Sequence, residues 1–197
     1  MRSIASWIAG AALGLAAATS ALAVEITDPE NTVVIEVGLG YDSPEDATPA
    51  ETGLVYIQLR NDLAPNHVAR IKELAREGFY DNVPFHRVIE GFMAQTGDGQ
   101  NGNGTGGSAK EDLRAEFTGE PYVRGIVGMA RTSYEHSANS QFFIMFNDAR
   151  HLNGQYTVVG QVIEGMDVVD RIKRGRGQGG GVDNPDRMVS MKVAADL

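Results

Sequence analysis

The sequence predicts a mostly β domain, a barrel or a sandwich, and three observations carry that prediction. From Phe79 onward, short runs rich in Val, Ile, Phe and Tyr recur between clusters of Gly, Asn, Asp and Ser, the pattern of closed or stacked antiparallel sheets. Only two stretches have helical periodicity. With no cysteine in 197 residues, stability has to come from packing a core and not from cross-links.

Residues 1–23, MRSIASWIAGAALGLAAATSALA, read as a cleavable signal peptide: Arg2 supplies positive charge, an apolar stretch follows, and Ala21-Leu22-Ala23 is an A-x-A cleavage site. Ser6, Gly10, Gly14 and Ser20 interrupt the apolar run and leave it weak as a membrane span. Cleavage near Ala23, export to the periplasm and no stable membrane association afterwards are the expectations. Residues 24–31 form a polar N-terminal tail, and residues 32–197 are expected to be one domain.

Within that domain, residues 32–37 (TVVIEV) and 53–59 (GLVYIQL) are β-rich and partly alternating, as two strands joined by a turn-rich link would be. Val68, Ile71, Leu74 and Ala75 recur at helical spacing, which predicts a helix over 64–77 with Asp62 or Asn66 as its cap and Gly78 as its exit. Further strands are predicted over 83–88, 92–96, 122–129, 141–147 and 156–162. A second helix fits 164–175, with Met166, Val169 and Ile172 on one stripe, and a closing strand fits 187–194.

Charge excludes some partners. Loss of Arg2 with the signal leaves sixteen basic against twenty-six acidic side chains, so nucleic acid and anionic lipid are not expected to bind. Motifs exclude some chemistry. Residues 97–102 match G-x-G-x-x-G, but the run continues into Gly104, Gly106 and Gly107 with no helix to follow and no βαβ context, so it reads as a surface loop and not a dinucleotide site. No G-K-[ST] follows it. The stretch 174–181, RGRGQGGG, holds only two arginines in an acidic chain and reads as a flexible loop. His67, His86, His136 and His151 lack metal-ligand spacing, so no metal is expected. Ser140 lies outside any nucleophile elbow, and no base for it is evident.

Three ordered segments point elsewhere: residues 85–98 (FHRVIEGFMAQTGD), 103–107 (NGTGG) and 137–144 (SANSQFFI), followed by 152–160 (LNGQYTVVG). Together they resemble the cyclophilin-type peptidyl-prolyl cis-trans isomerases over roughly residues 32 to 195. The resemblance implies a closed eight-stranded antiparallel β-barrel capped by two α-helices, with a groove for proline-containing peptides on its outer face. It implies Arg87 as the catalytic residue, and Phe92, Met93, Gln95, Ala130, Arg131, Gln141, Phe143, His151, Leu152 and Tyr156 as substrate-binding residues. No cofactor is implied, and the protein is expected to act as a monomer on unfolded or partly folded exported proteins.

The residue types suit that chemistry. An X-Pro bond resists rotation by about 18–20 kcal/mol because the nitrogen lone pair is delocalised into the carbonyl. A fixed donor aimed at that nitrogen acts only once the bond twists and frees the lone pair, so it favours the transition state over the ground state. A guanidinium stays charged and offers several rigid donors. Residues 87, 93 and 95 share parity and are expected on one face if the Glu90-Gly91 turn preserves alternation. Three positions depart from the best-known members: His151 stands where they carry tryptophan, Tyr156 where they carry histidine, and Arg131 where they carry asparagine. His151 predicts weak or no cyclosporin binding. The competing expectation is a non-catalytic module or holdase that captures proline-containing segments in the same groove.

Overall fold

The computed structural model describes residues 24–43 and 45–197; the signal peptide read in residues 1–23 lies outside them. Two long strands anchor the architecture. β1 (Thr32–Leu39) and β2 (Glu51–Leu59) pair antiparallel along their whole length, from Thr32 opposite Gln58 to Leu39 opposite Glu51. The β-branched residues of β1 are buried on both faces, whereas β2 alternates over its second half.

The remaining strands are short: β3 (Val83–Pro84), β4 (Arg87–Ile89), β5 (Met93–Thr96), β6 (Ile126–Met129), β7 (Phe142–Met145), β8 (Val158–Glu164) and β9 (Arg187–Val193). They form one curled antiparallel sheet in the order β3-β9-β1-β2-β8-β6-β7-β5-β4. This corrects the closed eight-strand ladder. The segment expected as one strand over 83–88 is two strands at opposite ends of the order, and β3 and β4 share no ladder. Only Phe85 and His86 join them. Phe85 spends its N–H on the Asp186 carbonyl at 2.8 Å, outside any ladder. Pro84, which has no N–H to give, ends β3.

The inward faces of the curl pack a core that includes Ile35, Ile57, Phe85, Met129, Phe142 and Ile144. Helix α1 (Pro65–Arg76) adds Val68, Ile71, Leu74 and Ala75 to it. Neither Asp62 nor Asn66 caps this helix: its N-cap is Ala64, which cannot, and Asp62 is engaged by Arg60. The first-turn amides of Asn66 and His67 instead donate to the carboxylate of Glu116, at 3.2 and 3.1 Å, from a distant loop. His67 Nδ1 joins that carboxylate. Burial holds the His67 ring below the ordinary histidine pKa.

Helix α2 (Met166–Arg171) is shorter than expected, because Ile172 is already extended at φ −55°, ψ 129°. Val168 and Val169 are its buried residues, and Val168 packs over Gly53 of β2. The strand expected from Tyr122 begins only at Ile126, since residues 122–125 form turns and loop. Residues 29–31 of the N-terminal tail make a 3-10 turn, and Glu30 pairs with Lys72 and Arg76, each at 2.9 Å.

Candidate active site

A second apolar cluster lies on the outside of the curl. It contains Met93, Tyr122, Ile126, Phe143, Met145, Ala149, Leu152 and Val158, with Phe92, Ala130 and Tyr156 packed against it. Strands β4, β5 and β7 build its exposed wall. Their register puts Arg87 opposite Gln95 and Gln95 opposite Phe143, so alternation carries these side chains and Met93 to one face. The turn that keeps this parity closes between the Phe92 N–H and the Ile89 carbonyl at 3.0 Å. Gly91 takes the left-handed conformation there at φ 68°.

A cavity of about 150 Å³ opens over this face. Phe92, Met93, Phe143 and Leu152 supply its apolar walls, Tyr156 and Ala130 stand at its side, and Arg87, Gln95 and Arg131 supply the polar rim. Phe143 meets Tyr156 edge-on at 5.7 Å and stacks with Tyr122 at 5.8 Å. Burial pushes the Tyr122 phenol above the ordinary tyrosine range. Arg131 closes the row with its guanidinium 4.7 Å from the Tyr156 ring centre and 5.8 Å from that of Phe117. Its Nε and Nη2 both donate to the Gln155 carbonyl at 3.0 Å.

Two predicted residues stand elsewhere. His151 lies outside this cavity, stacked on Phe92 at 5.9 Å. Gln141 lines a neighbouring cavity of about 330 Å³, which shares Gln95, Ala130 and Arg131 with the first.

The electrostatics around Arg87 answer why an arginine sits in an apolar hairpin. No carboxylate pairs with it among the described residues. Glu90, the nearest acid in sequence, is taken by Arg174 at 2.7 Å. Arg87 Nη1 donates to Gln95 Oε1 at 3.0 Å and lies 3.9 Å from Met93 Sδ, and Nε donates to the Gly179 carbonyl at 3.0 Å. A chain of amides runs on: Gln95 Nε2 donates to Gln141 Oε1 at 2.9 Å, and Gln141 Nε2 donates to the carbonyls of Gly104 and Gly106 at 3.0 and 2.8 Å.

That chain ends on the glycine loop, four of whose amides share one acceptor. Asp98 is 1% exposed and accepts from the backbone N–H of Asn101, Asn103, Gly104 and Gly106 at 2.8–3.2 Å. Burial alone would raise its pKa, but these donors outweigh it and hold the carboxyl at about 2. Four amides of the loop, those of Asn101, Asn103, Gly104 and Gly106, therefore already face an internal anion. Ser140 Oγ donates to the Gly97 carbonyl at 2.7 Å and ties the start of the same loop to the segment that leads into β7.

A model of the family described as cyclophilin type peptidyl-prolyl cis-trans isomerase/CLD matches residues 47–193. The chain belongs to this family. It is a cyclophilin-type peptidyl-prolyl cis-trans isomerase domain, and the family binds proline-containing peptides. A Brucella suis protein named "Probable peptidyl-prolyl cis-trans isomerase" is 50% identical over 100% of this chain and 97% of its own length. Peptidyl-prolyl cis-trans isomerase B of Escherichia coli is 42% identical over 61% of this chain and 79% of its own. Among solved structures, a cyclophilin from Hirschia baltica superposes with a TM-score of 0.71 at 29% identity, covering 86% of this chain and 76% of that one. A Cryptosporidium parvum cyclophilin, crystallised in the presence of the dipeptide Ala-Pro, gives 0.68 at 25% identity over 82% and 98%.

Sequence reasoning on this cyclophilin missed Asp98, Tyr122 and Gly179. A lone acid inside a run of residues that contribute mostly bare amides was the available signal for Asp98. A backbone carbonyl such as that of Gly179 leaves no residue-type signature.

Proposed function

We propose that this cyclophilin catalyses rotation about X-Pro bonds with Arg87 as the donor to the prolyl nitrogen, and that it acts on exported proteins as they fold. The carrying observation is that Arg87 is anchored by Nε and Nη1 while Nη2 has no partner among the described residues, at the rim of an apolar cavity. A pyrrolidine ring seated between Phe92, Met93, Phe143 and Leu152 brings its nitrogen to the guanidinium. The donor strengthens its bond as the lone pair localises in the twisted state. Gln95 holds substrate backbone, and the neighbouring cavity receives a residue adjoining the proline. A preset donor costs no reorganisation during the twist.

Exchange spectroscopy by NMR on an Ala-Pro peptide tests this reading. Arg87→Ala is expected to lower the exchange rate by about 100-fold or more with an unchanged melting temperature. Undiminished exchange in that variant removes the mechanism, and saturable binding without exchange in the wild type replaces it with the holdase. The export reading draws on residues 1–23, and N-terminal sequencing of the exported form is expected to begin at Val24. A start at Met1 would overturn it. Sedimentation is expected to give a monomer, and cyclosporin, with His151 outside the cavity, to leave the exchange rate nearly unchanged.

A further inference from the structure

The glycine-rich segment 174–181 has entered the site so far only through the Gly179 carbonyl, and its composition is that of a free surface loop. It is instead bound to the strand that carries Arg87. The Val88 N–H donates to the Gly180 carbonyl at 2.7 Å, and the Gly175 N–H donates to the Val88 carbonyl at 2.9 Å, so the segment grips one residue of β4 by both its backbone groups. The Arg176 N–H closes the segment on the Gly181 carbonyl at 2.9 Å. Arg174 fastens the near end, paired with Glu90 and lying 4.0 Å from the Phe146 ring centre.

The approach is too close for a side chain. Gly180 has φ +72°, and a Cβ there would come within 2.4 Å of Ile89 Cγ1 and 3.1 Å of the Val88 carbonyl oxygen. This contact brings the Gly179 carbonyl to 3.0 Å from Arg87 Nε.

We infer that segment 175–181 is a positioning element for the reaction, in which the Gly179 carbonyl fixes the plane of the Arg87 guanidinium and leaves its Nη2 edge to the substrate. The inference rests on the donor role proposed for Arg87. Gln95 alone, holding Nη1, would leave the guanidinium free to swing about that bond; a second acceptor on Nε removes the freedom. The acceptor also has to meet Nε without reaching Nη2. Nε–H and the outer Nη2–H point the same way, so a carboxylate takes both, as Asp62 takes Nε and Nη2 of Arg60 at 2.8 and 2.7 Å. The Gly179 carbonyl meets Nε alone and leaves Nη2, unlike the Gln155 carbonyl, which spans Nε and Nη2 of Arg131.

The test uses the full chain and two variants: excision of residues 177–180, which the Arg176–Gly181 bridge already spans, and Gly180→Ala. In the wild type, the Arg87 Nε–H is expected to exchange with water well below the rate of an exposed arginine. Both variants are expected to lose that protection and to lower kcat about tenfold, with KM within twofold and peptide binding retained. A freely exchanging Nε–H in the wild type, or unchanged kcat in a folded variant, overturns the inference. If the excision does not fold, Gly180→Ala carries the same two outcomes. Arg87→Ala separates the two levels. Lost exchange there with intact loop variants sinks only the role of the segment, whereas retained exchange there sinks the donor.

Discussion

The two glycine-rich segments of this cyclophilin, residues 97–107 and 175–181, look alike in sequence and are held by opposite means. The first is folded inward around a charge: four backbone amides converge on the buried Asp98 carboxylate. The second is folded outward onto a neighbour, through the backbone of Val88 and a contact at Gly180 that leaves no room for Cβ. Both reach the Arg87 guanidinium, one through Gln141 and Gln95 and the other directly through Gly179. Glycine content therefore marks where backbone must approach something closely; what it approaches has to come from elsewhere in the chain.

The sharpest way to break the comparison is to remove the charge. Asp98→Ala strands four donors in a loop packed against β7 and is expected to cost about 3 kcal/mol at neutral pH, read by urea denaturation. The pH dependence follows from the depressed carboxyl. Its folded pKa of about 2 lies below the unfolded value, so its contribution is complete above about pH 4 and is lost as the pH falls toward 2. The stability gap between wild type and Asp98→Asn is expected to shrink over that interval by about 2 kcal/mol. A constant gap would show that the carboxylate charge does not hold the loop.

The second segment should respond in the other sense, through rate, although Gly180→Ala also costs stability because a Cβ there has no room. The smallest effect belongs to its exposed tip, where Arg176 pairs with Asp183 at 3.2 Å and both side chains are mostly in solvent, at 87% and 73% exposure. Arg176→Ala is expected to leave the melting temperature unchanged. A measurable drop would mean that the segment is held by its charges as well as by its backbone.

These differences mark how far the sequence could be read. β1 and β2 announce themselves through Val33, Ile35, Val55 and Ile57, and α1 through Val68, Ile71 and Leu74, because burial and periodicity act on side chains. The geometry of Arg87, Met93 and Gln95 on one face was legible from parity once the hairpin turn was placed. Three features were not legible. Glu116 caps α1 from some fifty residues away, a tertiary contact that replaces the local cap expected at Asp62 or Asn66. The break between β3 and β4 comes from where the flanking strands pair, not from any residue type in FHR. α2 ends early because Ile172 turns extended although it still serves the apolar stripe.

The break between β3 and β4 carries one more consequence. β9 lies between β3 and β1 in the sheet, and its register runs from Val193 opposite Val33 to Arg187 opposite Gly38. Until residues 187–193 leave the ribosome, β1 therefore keeps a bare row of amides and carbonyls along one side, and β3 has nothing to pair with. One edge of β1 is satisfied early, by β2, and the other only by the last strand of the sheet. The first strand of the sheet waits for its last, and one edge of β1 stays open to handling by other factors while residues 60–186 are made.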